Sequence, residues 1–169
     1  MFKEYLLNSI TQEMKLIRRL ASKVPADKMN YKATNDTRSI GELLQYLSFS
    51  GTGFLRFWYR TDESDLKTFF GALRAEAALL TPMTPELFVQ AMDKQIAEVT
   101  QIFEGIAESD LHNKQVTYPW GDTAPLGAAI IETSVKWLSA YKLQLFTLIK
   151  QGTGQKLNTP DAWRLTVME

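Results

Sequence analysis

The sequence predicts an all-α, single-domain protein, and three observations carry that prediction. Apolar residues recur at three- and four-residue steps along four long segments, and cap or breaker residues stand at the ends of those segments. No stretch shows the period-two alternation of a half-buried strand. The 169 residues, 45% of them hydrophobic, suit one domain over 1–169 with a substantial core.

The first helix is marked by Leu6, Ile10, Met14, Ile17, Ala21 and Val24, one apolar face that Pro25 ends. A polar loop rich in Asn, Asp, Thr and Lys follows, from Ala26 to Arg38. Ser39-Ile40-Gly41-Glu42 then forms a capping box, Ser39 at the N-cap and Glu42 reaching back. The second helix buries Ile40, Leu43, Leu44, Leu47, Phe54 and Trp58. Gly51 and Gly53 interrupt it, each at a cost of about 1 kcal/mol relative to Ala, and predict a kink or a close helix–helix approach. After a break at Thr61-Asp62-Glu63-Ser64, the piece from Leu66 to Leu80 reads as an irregular crossover.

Thr84-Pro85-Glu86 starts the third helix, with Thr84 capping and Pro85 in its first turn. Phe88, Met92, Val99, Phe103 and Ile106 face inward, and Glu108-Ser109-Asp110-Leu111 closes it. Val116 to Pro125, around Tyr118-Pro119-Trp120-Gly121-Asp122, reads as a long ordered loop. The fourth helix runs from Leu126 to about Gln151 and ends at Gly152 and Gly154. Thr159-Pro160-Asp161-Ala162-Trp163 makes one terminal turn, with Thr159 as its cap. The expected helices lie near 3–23, 39–59, 84–107 and 126–151, with no sheet.

The fourth helix carries two apolar stripes. One is Ile130, Thr133, Trp137, Tyr141, Gln144 and Leu148; the other is Ile131, Val135, Leu138, Leu145 and Ile149. A helix apolar on two sides is either central to its bundle or half of a subunit contact. The second stripe therefore predicts a homodimer through the fourth helix.

Composition narrows the chemistry. Nineteen basic residues balance nineteen acidic ones, so no net field attracts nucleic acid or an anionic membrane. No apolar run approaches the roughly 18 residues of a membrane span. Lys3, Glu4, Glu13 and Lys15 interrupt the N-terminal apolar runs, unlike a signal peptide. The absence of cysteine removes disulfides, thiolate ligands and thiol nucleophiles, and suits a cytoplasmic protein. His112 is the sole histidine, expected on a solvent-facing loop, so imidazole triads and multi-histidine metal sites have no partner set. Glu132 precedes Lys136 by four residues and reads as a surface pair rather than a catalytic carboxylate. No Glu-x-x-His pairs of a di-metal carboxylate bundle are present.

The stretch from Val135 to Leu145 contains Trp137, Tyr141, Lys142, Gln144 and Leu145. Its frame resembles the signature helix of the DinB/YfiT-like family, roughly His-x-x-x-His-Arg-x-Gln-Leu, with Lys142 in the place of Arg. Pro25, Met29-Asn30-Tyr31-Lys32 and Arg38 to Leu44 resemble that family's entry into its second helix, and Thr159-x-Asp161-x-Trp163 resembles its terminal stretch. The resemblance implies a four-helix bundle with up-down-down-up connectivity, often dimeric. It also implies a divalent metal held by three histidines, with thiol transfer or related metal-dependent activity. At the three ligand positions this chain has Tyr46, Trp137 and Tyr141. Neutral phenol, with a pKa of about 10, is a poor ligand for Zn²⁺ or Ni²⁺, and indole offers only an N–H donor.

The expectation is therefore a metal-free, cofactor-free member with no catalytic residues assigned. It binds a small molecule or a protein partner. The candidate pocket is the vacated metal site, Tyr46, Trp137, Tyr141 and Gln144, which in the blander reading is merely filled core. The alternative is an enzyme of thiol-transferase or hydrolase type that uses other polar groups near the same place.

Overall fold

The structure of the chain, a computed structural model, describes residues 1–59 and 64–164. Helices dominate it: α1 (Phe2–Ala21), α2 (Ile40–Tyr59), α3 (Leu66–Ala78), α4 (Pro85–Gly105), α5 (Glu108–Asn113), α6 (Leu126–Ile130), α7 (Lys136–Thr153) and α8 (Thr159–Trp163). α6 and α7 are joined without a break by a π-helical turn, Ile131–Val135. The expected break at Thr61-Asp62-Glu63 lies outside the described residues.

The local signals that delimit the long helices act as their chemistry requires. The Ser39 N–H donates to Glu42 Oε2 at 2.7 Å and the Glu42 N–H to Ser39 Oγ at 3.1 Å, so the box closes in both directions. Thr84 Oγ1 accepts from the Leu87 N–H at 3.2 Å, ahead of Pro85. α7 ends on Gly154 in the left-handed region, φ +71°, where glycine carries no Cβ penalty.

α1 packs on α4 and α7, while α2 packs on α3, α4 and α7. Their shared core is built from the stripes read above, among them Ile10, Met14 and Ile17 of α1, Leu43, Leu44 and Leu47 of α2, and Phe88, Val99 and Phe103 of α4. The glycines of α2 mark close approaches. A Cβ on Gly51 would stand 2.5 Å from Met14 Cε and 3.0 Å from Gln95 Oε1, and one on Gly53 would stand 2.8 Å from the Phe70 ring.

Three elements differ from the sequence expectation. Leu66–Ala78 is a regular helix, capped by Asp65, whose carboxylate accepts from the Thr68 N–H at 2.8 Å. Only Leu73 and Ala77 of it are fully buried, too thin a stripe to announce a helix. The segment read as a loop contains a small antiparallel hairpin, Gln115–Thr117 (β1) with Thr123–Pro125 (β2). Strands of three residues are too short for a period-two signal, and this pair is held from outside by the Trp58 Nε1–H donating to Thr117 O at 3.2 Å. The terminal turn is capped by Asn158 rather than Thr159, the Asn158 N–H donating to Asp161 Oδ2 at 2.7 Å.

The π-turn accounts for the two stripes of the fourth helix. It inserts one extra residue, so every side chain after it is turned by about 100° relative to a continuous α-helix. Ile130 and Lys142 would otherwise stand about 120° apart, and are brought to about 20°. One buried face then runs through Leu126, Ile130, Thr133, Leu138, Lys142, Leu145 and Ile149. Leu138 and Leu145, which motivated the dimer, are enclosed by the chain itself. Among the described residues no helix is long and apolar enough to cross a membrane.

Candidate functional site

The aromatic cluster expected between the second and fourth helices is assembled in part. Tyr46 of α2 meets Tyr141 of α7 edge to face, with ring centroids 5.0 Å apart. The Arg38 guanidinium, just before α2, lies 4.6 Å from the Tyr46 centroid and 5.9 Å from that of Tyr141. Trp137, one turn earlier on α7, meets Phe54 instead, edge to face at 5.1 Å. Phe54 in turn touches Trp58 and Phe70. Gln144 does not join them. It lies one turn beyond Tyr141 and lines a separate shallow cavity of about 350 Å³ with Ala33, Thr37 and Leu143.

Rings at these separations occupy the space between α2 and α7, and such pairs favour the edge-to-face geometry seen here. Burial pushes the Tyr46 phenol upward from its ordinary range, and the Tyr141 phenol adds to the shift. The charges of Arg38 and Arg74 pull the other way without prevailing. Tyr46 therefore stays protonated. A phenol must lose its proton to ligate a metal well, so the environment of Tyr46 works against ligation, and Trp137 has no lone pair to offer. The residues at the three positions do not fit a divalent metal. Among the described residues no group of three or more His, Cys, Asp or Glu side chains is placed to hold one.

The other singled-out residues have plain surroundings. His112 is exposed and stacks on Phe2 at 5.5 Å, on the short helix α5 rather than a loop. Glu132 pairs with Lys136 across one turn, exposed on both sides. Trp120 is exposed at the hairpin tip and lies flat on Tyr118, centroids 4.6 Å apart. Gly121 in that tip has φ +100°, a conformation that favours glycine.

The burial of two polar side chains that bond from one helix to another was not foreseen. Lys142 is only 2% exposed, and its Nζ donates to Glu13 Oε1 of α1 at 3.0 Å, with Oε2 at 2.8 Å. The Trp163 ring of α8 covers the ammonium at 5.2 Å. α8 is itself tied down by Lys23 to Asp161 at 2.6 Å and by Arg19 Nη2 donating to the carbonyls of Pro160 and Asp161. Gln95 of α4 is the second. Its Nε2 donates to Leu47 O at 2.9 Å, while its Oε1 accepts from the N–H groups of Gly51 and Thr52 at 3.1 and 3.3 Å. The amide thus brackets a Leu47–Gly51 step of α2, and a side chain at residue 51 would crowd it. The missed signal was a polar residue inside an apolar stripe: Lys142 between Leu138 and Leu145, Gln95 between Met92 and Val99, Glu13 beside Ile10 and Ile17. A stripe rule scores such residues as interruptions, whereas a buried polar group calls for a partner on another helix.

No family model matches the chain, and no relative is found for it among curated proteins.

Proposed function

We propose that this chain is a metal-free bundle of the DinB/YfiT-like kind, with up-down-down-up helices, that binds a small molecule without transforming it. One observation carries the metal-free part of the reading. Tyr46, Trp137 and Tyr141, at the positions where that family has imidazoles, are half-buried rings engaged with other rings or with Arg38, and Tyr46 is held in its neutral form. An enzyme of that family needs a Lewis acid at this point, and phenol and indole do not hold one. The cytoplasm suits a chain without cysteine.

Elemental analysis after mild dialysis tests the reading. Well under one equivalent of any transition metal is expected, with no activity on thiol-transfer substrates. A stoichiometric metal mapped to Tyr46, Trp137 and Tyr141 would refute it.

Self-association through the fourth helix belongs to the same proposal, but on different residues from those first indicated. With Leu138 and Leu145 enclosed, the open side of α7 offers Ala140 and Leu143, the latter half exposed. Sedimentation at micromolar concentration is expected to give twice the monomer mass, and Leu143→Glu to halve it. A monomer at all concentrations would remove the dimer from the proposal.

A further inference from the structure

A second cavity, of about 350 Å³, opens on the other side of α2, between α2, α3 and α4. Its size falls in the range of small-molecule sites, roughly 300–1,000 Å³. Phe49, Leu73, Leu87 and Ala91 supply its apolar wall. Phe49 also contacts Tyr46 at 5.5 Å, so the cavity and the aromatic cluster lie on two sides of one ring pair. The Gln95 amide in the lining is spent on the backbone of α2.

Charge is the distinguishing feature. Four charged residues line the cavity: Arg56, Lys94, Glu76 and Glu98. Lys94 and Glu76 are well exposed and 3.8 Å apart, a loose surface pair of small consequence. Arg56 is more sheltered. It meets Glu98 through Nε, 3.4 Å from Oε1. A guanidinium presents five N–H donors along more than one edge, so contact with Glu98 leaves a fork for a second carboxylate.

An apolar hollow of this volume beside a guanidinium that Glu98 meets along one edge fits an amphipathic anion, apolar at one end. We infer that the cavity between α2, α3 and α4 binds a small monocarboxylate with an apolar body, its chain against Phe49, Leu73, Leu87 and Ala91 and its carboxylate on Arg56. This rests on the binding reading given above and names where and what the chain binds. Metal analysis tests the metal-free part of that reading independently.

Sodium octanoate is a suitable probe, with 1-octanol as its uncharged counterpart, each titrated by calorimetry into the full chain. Saturable binding of one octanoate is expected, with the methyl signals of Leu73 and Ala91 shifting in NMR spectra. Arg56→Gln, on a partly exposed side chain, is expected to keep the helical circular dichroism and to weaken octanoate at least about tenfold, the worth of one charge-assisted contact. Octanol is expected to bind more weakly and to ignore that substitution. Ala91→Leu, which fills the hollow, is expected to abolish both. Absence of saturable octanoate binding, or shifts confined to methyl groups elsewhere, would overturn the site. Equal binding of octanoate and octanol, unchanged in Arg56→Gln, would overturn the carboxylate class while leaving small-molecule binding in place.

Discussion

Glu13→Ala is expected to lower stability by about 3–5 kcal/mol, the usual cost of stripping one partner from a buried ion pair. Lys142 cannot escape by reaching water. Its side chain is 3% exposed, and the Trp163 ring closes over it from α8. Without Glu13 the ammonium keeps, among the described residues, only that ring face, a contribution of roughly 1–2 kcal/mol in a desolvated setting. The reciprocal change, Lys142→Met, removes the charge in greater need and leaves a Glu13 that is 16% exposed and better able to hydrate. It is therefore expected to cost less than Glu13→Ala. Replacing both, Glu13→Leu with Lys142→Met, is expected to be near neutral or stabilising, because apolar packing removes the desolvation cost of both ions. Urea unfolding of Glu13→Leu, Lys142→Met and the double measures the coupling directly. A loss under about 1 kcal/mol for Glu13→Ala would mean that α8 yields and lets Lys142 hydrate.

Trp137→Ala is expected to cost about 3 kcal/mol, near the low end for a large aromatic because the indole is only partly buried. It meets Phe54, which is 3% exposed and joins Trp58 and Phe70 into one chain of rings from α2 to α3. Removing the indole leaves a void against Phe54. Tyr141→Phe serves as the contrast. It keeps the ring that meets Tyr46 and deletes one hydroxyl, so about 1 kcal/mol or less is expected. Thermal or urea unfolding of both variants separates a packed site from an open one. If Trp137→Ala proved as mild as Tyr141→Phe, the rings would line a pocket rather than fill a core.

Legibility in the sequence followed the range of the interaction. The long helices were readable because their signals are local: Ser39 and Glu42 cap each other across three residues, Thr84 and Pro85 start a helix by their own chemistry, and Gly154 ends one. That Tyr46, Trp137 and Tyr141 offer no imidazole needed no structure, since donor chemistry belongs to the side chain itself. The hairpin was not readable, because three-residue strands hold through Trp58 of another element rather than through their own pattern.

The sequence by itself determined that the chain is helical and where its long helices begin and end. Only the tertiary structure decided which face of the fourth helix is buried. A periodic stripe assumes an unbroken 100° step, and the π-turn at Ile131–Val135 adds one residue to that count. The extra residue gathered two stripes into one face, enclosed Leu138 and Leu145, and turned Lys142 inward toward Glu13. It also left Gln144 with the loop at Ala33 and Thr37 instead of with Tyr46 and Tyr141. Pairings between distant helices, such as Gln95 with Leu47 and Gly51, were likewise decided there, since a side chain's partner across the core is set by packing and not by its neighbours along the chain.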